Sequence, residues 1–183
     1  MSTIGWPDDA EYAPFYRSYV AAARNIAAGV EGPVVVLRDQ LTRINRLSNP
    51  EVERRRGFSY APGKWTVADL VGHLADSERV FAYRAMRIAR ADSTPLPGFD
   101  QDSYVVAGSA VDAPFSSLAA ELSTLRRASI LLFENMPITA SAARGNANDA
   151  AVTPRALAAI MAGHVEHHLN VLETQYEVVT SRT

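Results

Sequence analysis

The sequence predicts an all-α fold, a four-helix bundle, and three observations carry that expectation. Four segments place apolar residues at helical spacing, and no segment sustains the alternation of a half-buried strand. Two of the segments open on helix-start chemistry: Thr66 with Asp69 three residues on, and Thr153 followed by Pro154. The 183 residues are 48% hydrophobic and 21% charged, enough to bury one sizeable core. A single domain over residues 1–183 is expected, with residues 1–30 as a lead segment packed on the bundle.

Taken in order, the lead carries the aromatic stretch "YAPFYRSYV", read as a helical turn or two. Its Tyr12, Phe15, Tyr16 and Tyr19 are expected to pack within the monomer or across a dimer. The first bundle helix follows "EGP" from about Pro33 to Leu47, with Val34, Leu37, Leu41 and Ile44 on one face. The second runs from the Thr66 cap to about Ala91, where "STPLPGF" stops it, because two prolines lack amide hydrogens and a glycine follows. The third is expected from about Pro114 to Met136, with Asp112 or Ala113 near its cap. The polar, small-residue stretch "TASAARGNAND" separates it from the fourth, which runs from Pro154 to about Tyr176.

Composition also excludes. The net charge is −2 with no long block of one sign, so nothing electrostatic points to nucleic acid or to a membrane surface. The run "EVERRR" reads as a solvated surface. No apolar run reaches transmembrane length, and the N-terminal dozen residues carry three acids and no apolar h-region, so the expected location is the cytoplasm. With no cysteine, any metal must be held by nitrogen and oxygen, and no sulfur nucleophile comes from the chain itself.

Three of the four histidines fall within "AGHVEHHLN". At about 100° per residue His164 and His168 lie roughly 40° apart on one face, shared with Leu157, Ile160, Met161, Val171 and Leu172, while His167 swings aside to a neighbour or to solvent. Buried neutral imidazoles need partners for one donor and one acceptor each. The fourth, His73, sits at the edge of the second helix's apolar stripe. If the second and fourth helices are neighbours, His73, His164 and His168 can converge as an open three-histidine site suited to divalent zinc or nickel; otherwise they are hydrogen-bonded core residues. The pattern is not that of zincins, since Glu166 stands on the face opposite the pair, where it reads as a surface residue.

Asp76 and Ser77, one turn beyond His73, are candidates to orient an imidazole or a bound water. Glu78 lies near the apolar stripe and calls for a structural partner such as an arginine. In "LPGFDQDSYV", Phe99 is a candidate pocket wall and Asp100 and Tyr104 candidate polar contacts. Trp65 is expected to pack at the start of the second helix. No catalytic residue is assigned.

The segments "KWTVADLVGHLADSERVFAYRAMRIARADSTPLPGFDQDSYV" and "RALAAIMAGHVEHHLNVLETQY" resemble the DinB-like superfamily of four-helix-bundle metalloproteins, especially its YfiT-like branch of metal-dependent hydrolases and bacillithiol S-transferases. The resemblance rests on one histidine in the second helix, a His-x-x-x-His pair in the fourth, and the "GKW" entry. It implies a DinB/YfiT-like bundle, frequently a homodimer, with His73, His164 and His168 as ligands to a divalent ion, zinc or nickel. The leading expectation is a metal-dependent enzyme that activates a low-molecular-weight thiol for S-transfer to a small electrophile. The alternatives are a hydrolase using metal-bound water and a non-enzymatic metal-binding or stress-response module.

Overall fold

In the computed structural model, residues 4–180 apart from 28 and 30 are described. Residues 1–3 and 181–183 of the expected 1–183 domain, and positions 1–3, 28 and 30 of the lead, lie outside the described residues. The helices are α1 (Arg17–Ile26), α2 (Pro33–Arg46), α3 (Pro50–Arg54), α4 (Val67–Ala89), α5 (Gln101–Gly108), α6 (Phe115–Glu134), α7 (Ile138–Ser141) and α8 (Pro154–Gln175). A hairpin of β1 (Gly145–Ala147) and β2 (Ala150–Val152) lies between α7 and α8.

The long helices α2, α4, α6 and α8 form the bundle, and their starts are set locally. Thr66 Oγ1 accepts from the Asp69 amide and the Asp69 carboxylate accepts from the Thr66 amide, closing the reciprocal cap at the head of α4. Thr153 Oγ1 accepts from the Ala156 amide at the head of α8, with Pro154 in the first helical position. The third bundle helix starts at Phe115 with Pro114 at its cap, so Asp112 falls in the preceding 3₁₀ turn. Asp112 and Ala113 stand two and one residues before the cap, because Pro114 takes an extended conformation and cannot begin the turn.

Helix α4 packs against α6 and α8, and α2 against the same two, so α2 and α4 stand diagonally. Apolar residues divide into two clusters. One joins the first half of α2, the second halves of α4 and α6, and the first half of α8. The other joins the end of α2, the first halves of α4 and α6, and the second half of α8. The helices α2 and α8 therefore run one way, and α4 and α6 the other. Because α4 and α6 are parallel neighbours, residues 90–114 must cross back along the bundle between them.

A polar layer lies between the two clusters. Arg126, with 0% exposure, donates from Nε and Nη2 to the two Glu78 oxygens at 2.9 Å each and from Nη1 to Gln40 Oε1 at 2.9 Å. Gln40 Nε2 donates in turn to Ala162 O and to Glu166 Oε2, and Arg43 Nη1 donates to both Glu166 oxygens. Each bundle helix contributes to this chain of hydrogen bonds. The partner that Glu78 called for is thus Arg126.

Three connecting segments hold more structure than their composition announces. The aromatic lead continues into α1, which has ten residues and packs along α8. A Cβ at Gly163 would stand 1.8 Å from Tyr19 O, so only glycine admits this approach of α1 to α8. The "TASAARGNAND" stretch holds most of α7, then β1 and the hairpin turn, whose two residues, Asn148 and Asp149, take positive φ of 55° and 56°, the geometry a two-residue loop requires and asparagine and aspartate tolerate. The Leu96 amide donates to Asn146 O and the Asn148 amide to Leu96 O, tying the proline-rich loop to the hairpin. That loop then enters α5, capped by Asp100.

Replacing Arg126 by Met leaves Glu78 buried without its counter-charge, and the expected loss is roughly 3–5 kcal/mol in urea unfolding. Combining Arg126→Met with Glu78→Leu should restore most of it. Loss in the double variant equal to the sum of the single losses would remove the ion pair from this account.

Candidate metal centre

The adjacency of α4 and α8 brings the three histidines of the sequence expectation together. One ring nitrogen from each of His73, His164 and His168 can be chosen so that all lie within 4.8 Å of one another, and His73 Nε2 is 3.0 Å from His164 Nε2. Two nitrogens bound to one tetrahedral ion at about 2.0–2.1 Å stand about 3.4 Å apart, so the cluster has the size one cation spans. His73 and His164 are buried and His168 is partly so.

Their electrostatics favour the neutral, lone-pair form. Burial lowers His73 to about 4, although Asp102 pulls the other way. Burial, then the neighbouring His73 and His167, lower His168 to about 3. His164 is driven well below the usual imidazole range, first by burial and then by the charges that His168, His73, His167 and Arg126 would present. Among the described residues His168 Nδ1 is buried with no hydrogen-bond partner. An imidazole cluster that refuses protons and leaves a buried nitrogen unsatisfied fits a divalent cation by donor type, size and charge.

Aromatic rings fix the imidazoles in place. Trp65 lies 4.8 Å from the His73 ring, tilted against it, while Tyr19 and Phe81 present edges to His164 at 5.5 and 5.8 Å. Trp65 does pack at the start of α4, and its surface there is a histidine. His167 is exposed and swings aside to contact Tyr19 and His168 through ring edges.

A cavity of about 170 Å³ opens beside His73 and His164. Ser77, Phe81 and Arg84 of α4 line it, together with Tyr16 and Tyr19 of the aromatic lead and Phe99, Gln101 and Asn148. No carboxylate lines it. A second cavity of about 170 Å³ on the other side of His73 is lined by Asp76, Arg79, Tyr104 and Glu121, among others.

The remaining sequence candidates therefore separate. Ser77 and Phe99 line the histidine cavity. Asp76 pairs with Arg79 at 3.4 Å and lies in the second cavity, where burial raises its carboxyl. Tyr104 lies there too, with its ring 5.2 Å from Phe99. Asp100 is exposed and accepts from the Asp102 and Ser103 amides, so its carboxylate is committed to capping α5. The surface reading of Glu166 is corrected: it is 7% exposed, because α2 covers the face of α8 opposite the histidines and brings Arg43 and Gln40 to it. Tyr16, Tyr19 and Asn148 were not legible as cavity residues, since α1 and the hairpin reach the site only through long-range packing. Arg84 carried a signal: it stands eleven residues after His73, about 20° away on the same helical face.

The sequence model of the DinB superfamily matches residues 35–172. The "Putative metal-dependent hydrolase OB0413" of Oceanobacillus iheyensis is 31% identical over 64 residues, which cover 34% of this chain and 34% of that protein. The chain thus matches about a third of that relative's length. A solved structure described as "YfiT from Bacillus subtilis is a probable metal-dependent hydrolase with an unusual four-helix bundle topology" matches with a TM-score of 0.64 at 20% identity, over 80% of this chain and 83% of that one. It shares the fold.

The lowered imidazole pKa values set a pH dependence for the metal-free protein. The unfolded chain binds protons near the ordinary imidazole value of 6.5 and the folded chain resists them, so stability is full above that pH and falls as pH drops from about 6.5 towards 4. Glu11, which burial would raise, is held at about 2 by hydrogen bonds led by Arg155, and its contribution fades only below about 4.5. Between pH 6.5 and 4.5 the decline in melting temperature should therefore flatten in His168→Gln. An unchanged slope would show that these imidazoles do not set it.

Proposed function

The chain belongs to the DinB superfamily, and on that premise we propose that His73, His164 and His168 hold one divalent cation, zinc or nickel, at the centre of a metal-dependent enzyme acting on a small molecule. The observation that carries this reading is the convergence of three unprotonated imidazoles from two helices beside a cavity without carboxylates. Bound there, a divalent cation supplies positive charge that acidifies a coordinated water or thiol and polarises a substrate oxygen.

The chain's own part is to bind, orient and shield. The three imidazoles offer lone pairs at the working pH because burial keeps them neutral. Trp65, Tyr19 and Phe81 hold the rings and exclude water from their flanks. Ser77 and the Tyr19 phenol, whose pKa burial raises, remain protonated donors along the cavity wall. The absence of cysteine from the chain and of carboxylates from the cavity lining supports an exogenous nucleophile.

Hydrolysis, with water as that nucleophile, follows the descriptions of the Oceanobacillus and Bacillus proteins. S-transfer from a low-molecular-weight thiol is the second reading, favoured by the absence of a general base in the cavity. A thiol starts from a pKa of about 8.5 and needs far less acidification than water at about 15.7. We further read residues 1–183 as one domain acting as a homodimer in the cytoplasm, to be checked by solution mass. No helix among the described residues is long and apolar enough to cross a membrane.

Protein purified without an affinity-metal step should carry about one divalent ion per chain. His168→Ala should weaken that binding by more than about 100-fold, beyond the 10–100-fold typical of losing a group that merely orients a ligand, while helicity by circular dichroism is retained. Loaded protein should then consume a small thiol in the presence of an electrophile, or cleave an ester or amide without one. Failure to bind a divalent ion under any loading condition would return the histidines to the core.

A further inference from the structure

Two arginines are buried among the described residues, and they are treated differently. Arg126 is clasped by Glu78. Arg84, 3% exposed, lies within ion-pair distance of no described carboxylate. Its Nη2 donates to Pro97 O at 2.6 Å, and its charge sits beside Tyr16, partly offsetting the rise that burial gives that phenol. A carbonyl dipole and a phenol satisfy hydrogen-bond donors but do not neutralise a cation. Burying a guanidinium on those terms is costly unless an anion arrives.

The position of Arg84 says where that anion would lie. His73, Ser77, Phe81 and Arg84 fall within about 80° of one another on α4, and all four line the cavity that also reaches His164. At the backbone, eleven residues separate the imidazole from the arginine by about 16 Å, and the arginine side chain leans back towards the helix start. The cavity therefore has an imidazole end and a guanidinium end. Asn148 and Gln101 add amides along its rim, and no carboxylate opposes an incoming negative charge.

We propose that Arg84 is the anion-recognition residue of this cavity, and that the substrate is a small molecule bearing a carboxylate or phosphate at the end remote from its reacting centre. A planar guanidinium presents paired donors that match either group. The cation reading is its premise only for where the reacting centre lies; the oxyanion subsite stands on Arg84 itself. Arg84 is a positioning residue, binding the remote group so that the reacting bond is held at the histidine end.

The test uses butyrate, inorganic phosphate and, as the neutral shape match, butyramide, titrated by calorimetry into protein as purified and into Arg84→Gln of equal measured metal content. Wild type should bind butyrate and phosphate at least about tenfold more tightly than butyramide, and Arg84→Gln should lose that preference. Binding to a cation alone would survive the substitution, so the wild-type-to-variant difference isolates Arg84. The Arg84 Nε–H resonance of wild type should shift with butyrate and phosphate and stay in place with butyramide, a readout that does not depend on the variant folding. An unmoved resonance, or equal anion binding by wild type and a folded Arg84→Gln, would overturn the subsite and make Arg84 a structural strap for Pro97. Metal content, measured separately, would leave the cation reading intact in that case.

Discussion

A guanidinium at the centre of a helical core must be met by a carboxylate, and Arg126 meets Glu78 with two hydrogen bonds where no water can substitute. This pair lies in the polar layer that divides the two apolar clusters, and the layer is continued through Gln40 to Glu166 and Arg43. Fully satisfied, such a network fixes the register of all four bundle helices, because sliding one by a turn would strand a charge. His164 stands at the same level of α8, between Ala162, whose carbonyl accepts from Gln40, and Glu166, whose carboxylate accepts from Gln40 and Arg43. The charge layer and the imidazole cluster are two faces of one stretch of helix. Arg126 also contributes to keeping His164 neutral.

The geometry of the cluster follows from this register. His73 meets His164 and His168 because α4 and α8 run in opposite directions and pack directly, and Gly163 lets α1 come close enough for Tyr19 to seat its ring against His164. Burial then does electrostatic work: it strips protons from the imidazoles, leaving donors suited to a cation. Arg84 lines the same cavity, so a guanidinium and two of the three imidazoles face one space.

Much of this was written in local sequence, and the remainder was not, for physical reasons. The capping chemistry at Thr66 and Thr153 is confined to a few residues, and the structure reproduces it. The spacing of His164 and His168 puts both on one face, and the need of Glu78 for an arginine follows from the cost of a bare buried carboxylate. The burial of Glu166 is not legible locally because it is conferred by α2, more than a hundred residues away, whose Arg43 turns an outward-facing carboxylate into half of an ion pair. The hairpin was missed because a three-residue strand has no periodicity to detect, and the walls from Tyr16, Tyr19 and Asn148 depend on pairings that no local window contains.

The parallel arrangement of α4 and α6 obliges residues 90–114 to travel the length of the bundle, and that traverse supplies Phe99 and Gln101 to the cavity rim while contributing nothing to the Glu78–Arg126–Gln40–Glu166 layer. The crossing segment can thus change in sequence without disturbing the charges that hold the bundle in register. Part of the cavity lining and the ion-paired layer therefore come from different stretches of the polypeptide. Diversification at Phe99 and Gln101 alone would reshape the cavity while sparing Leu96, which this connection buries in the core.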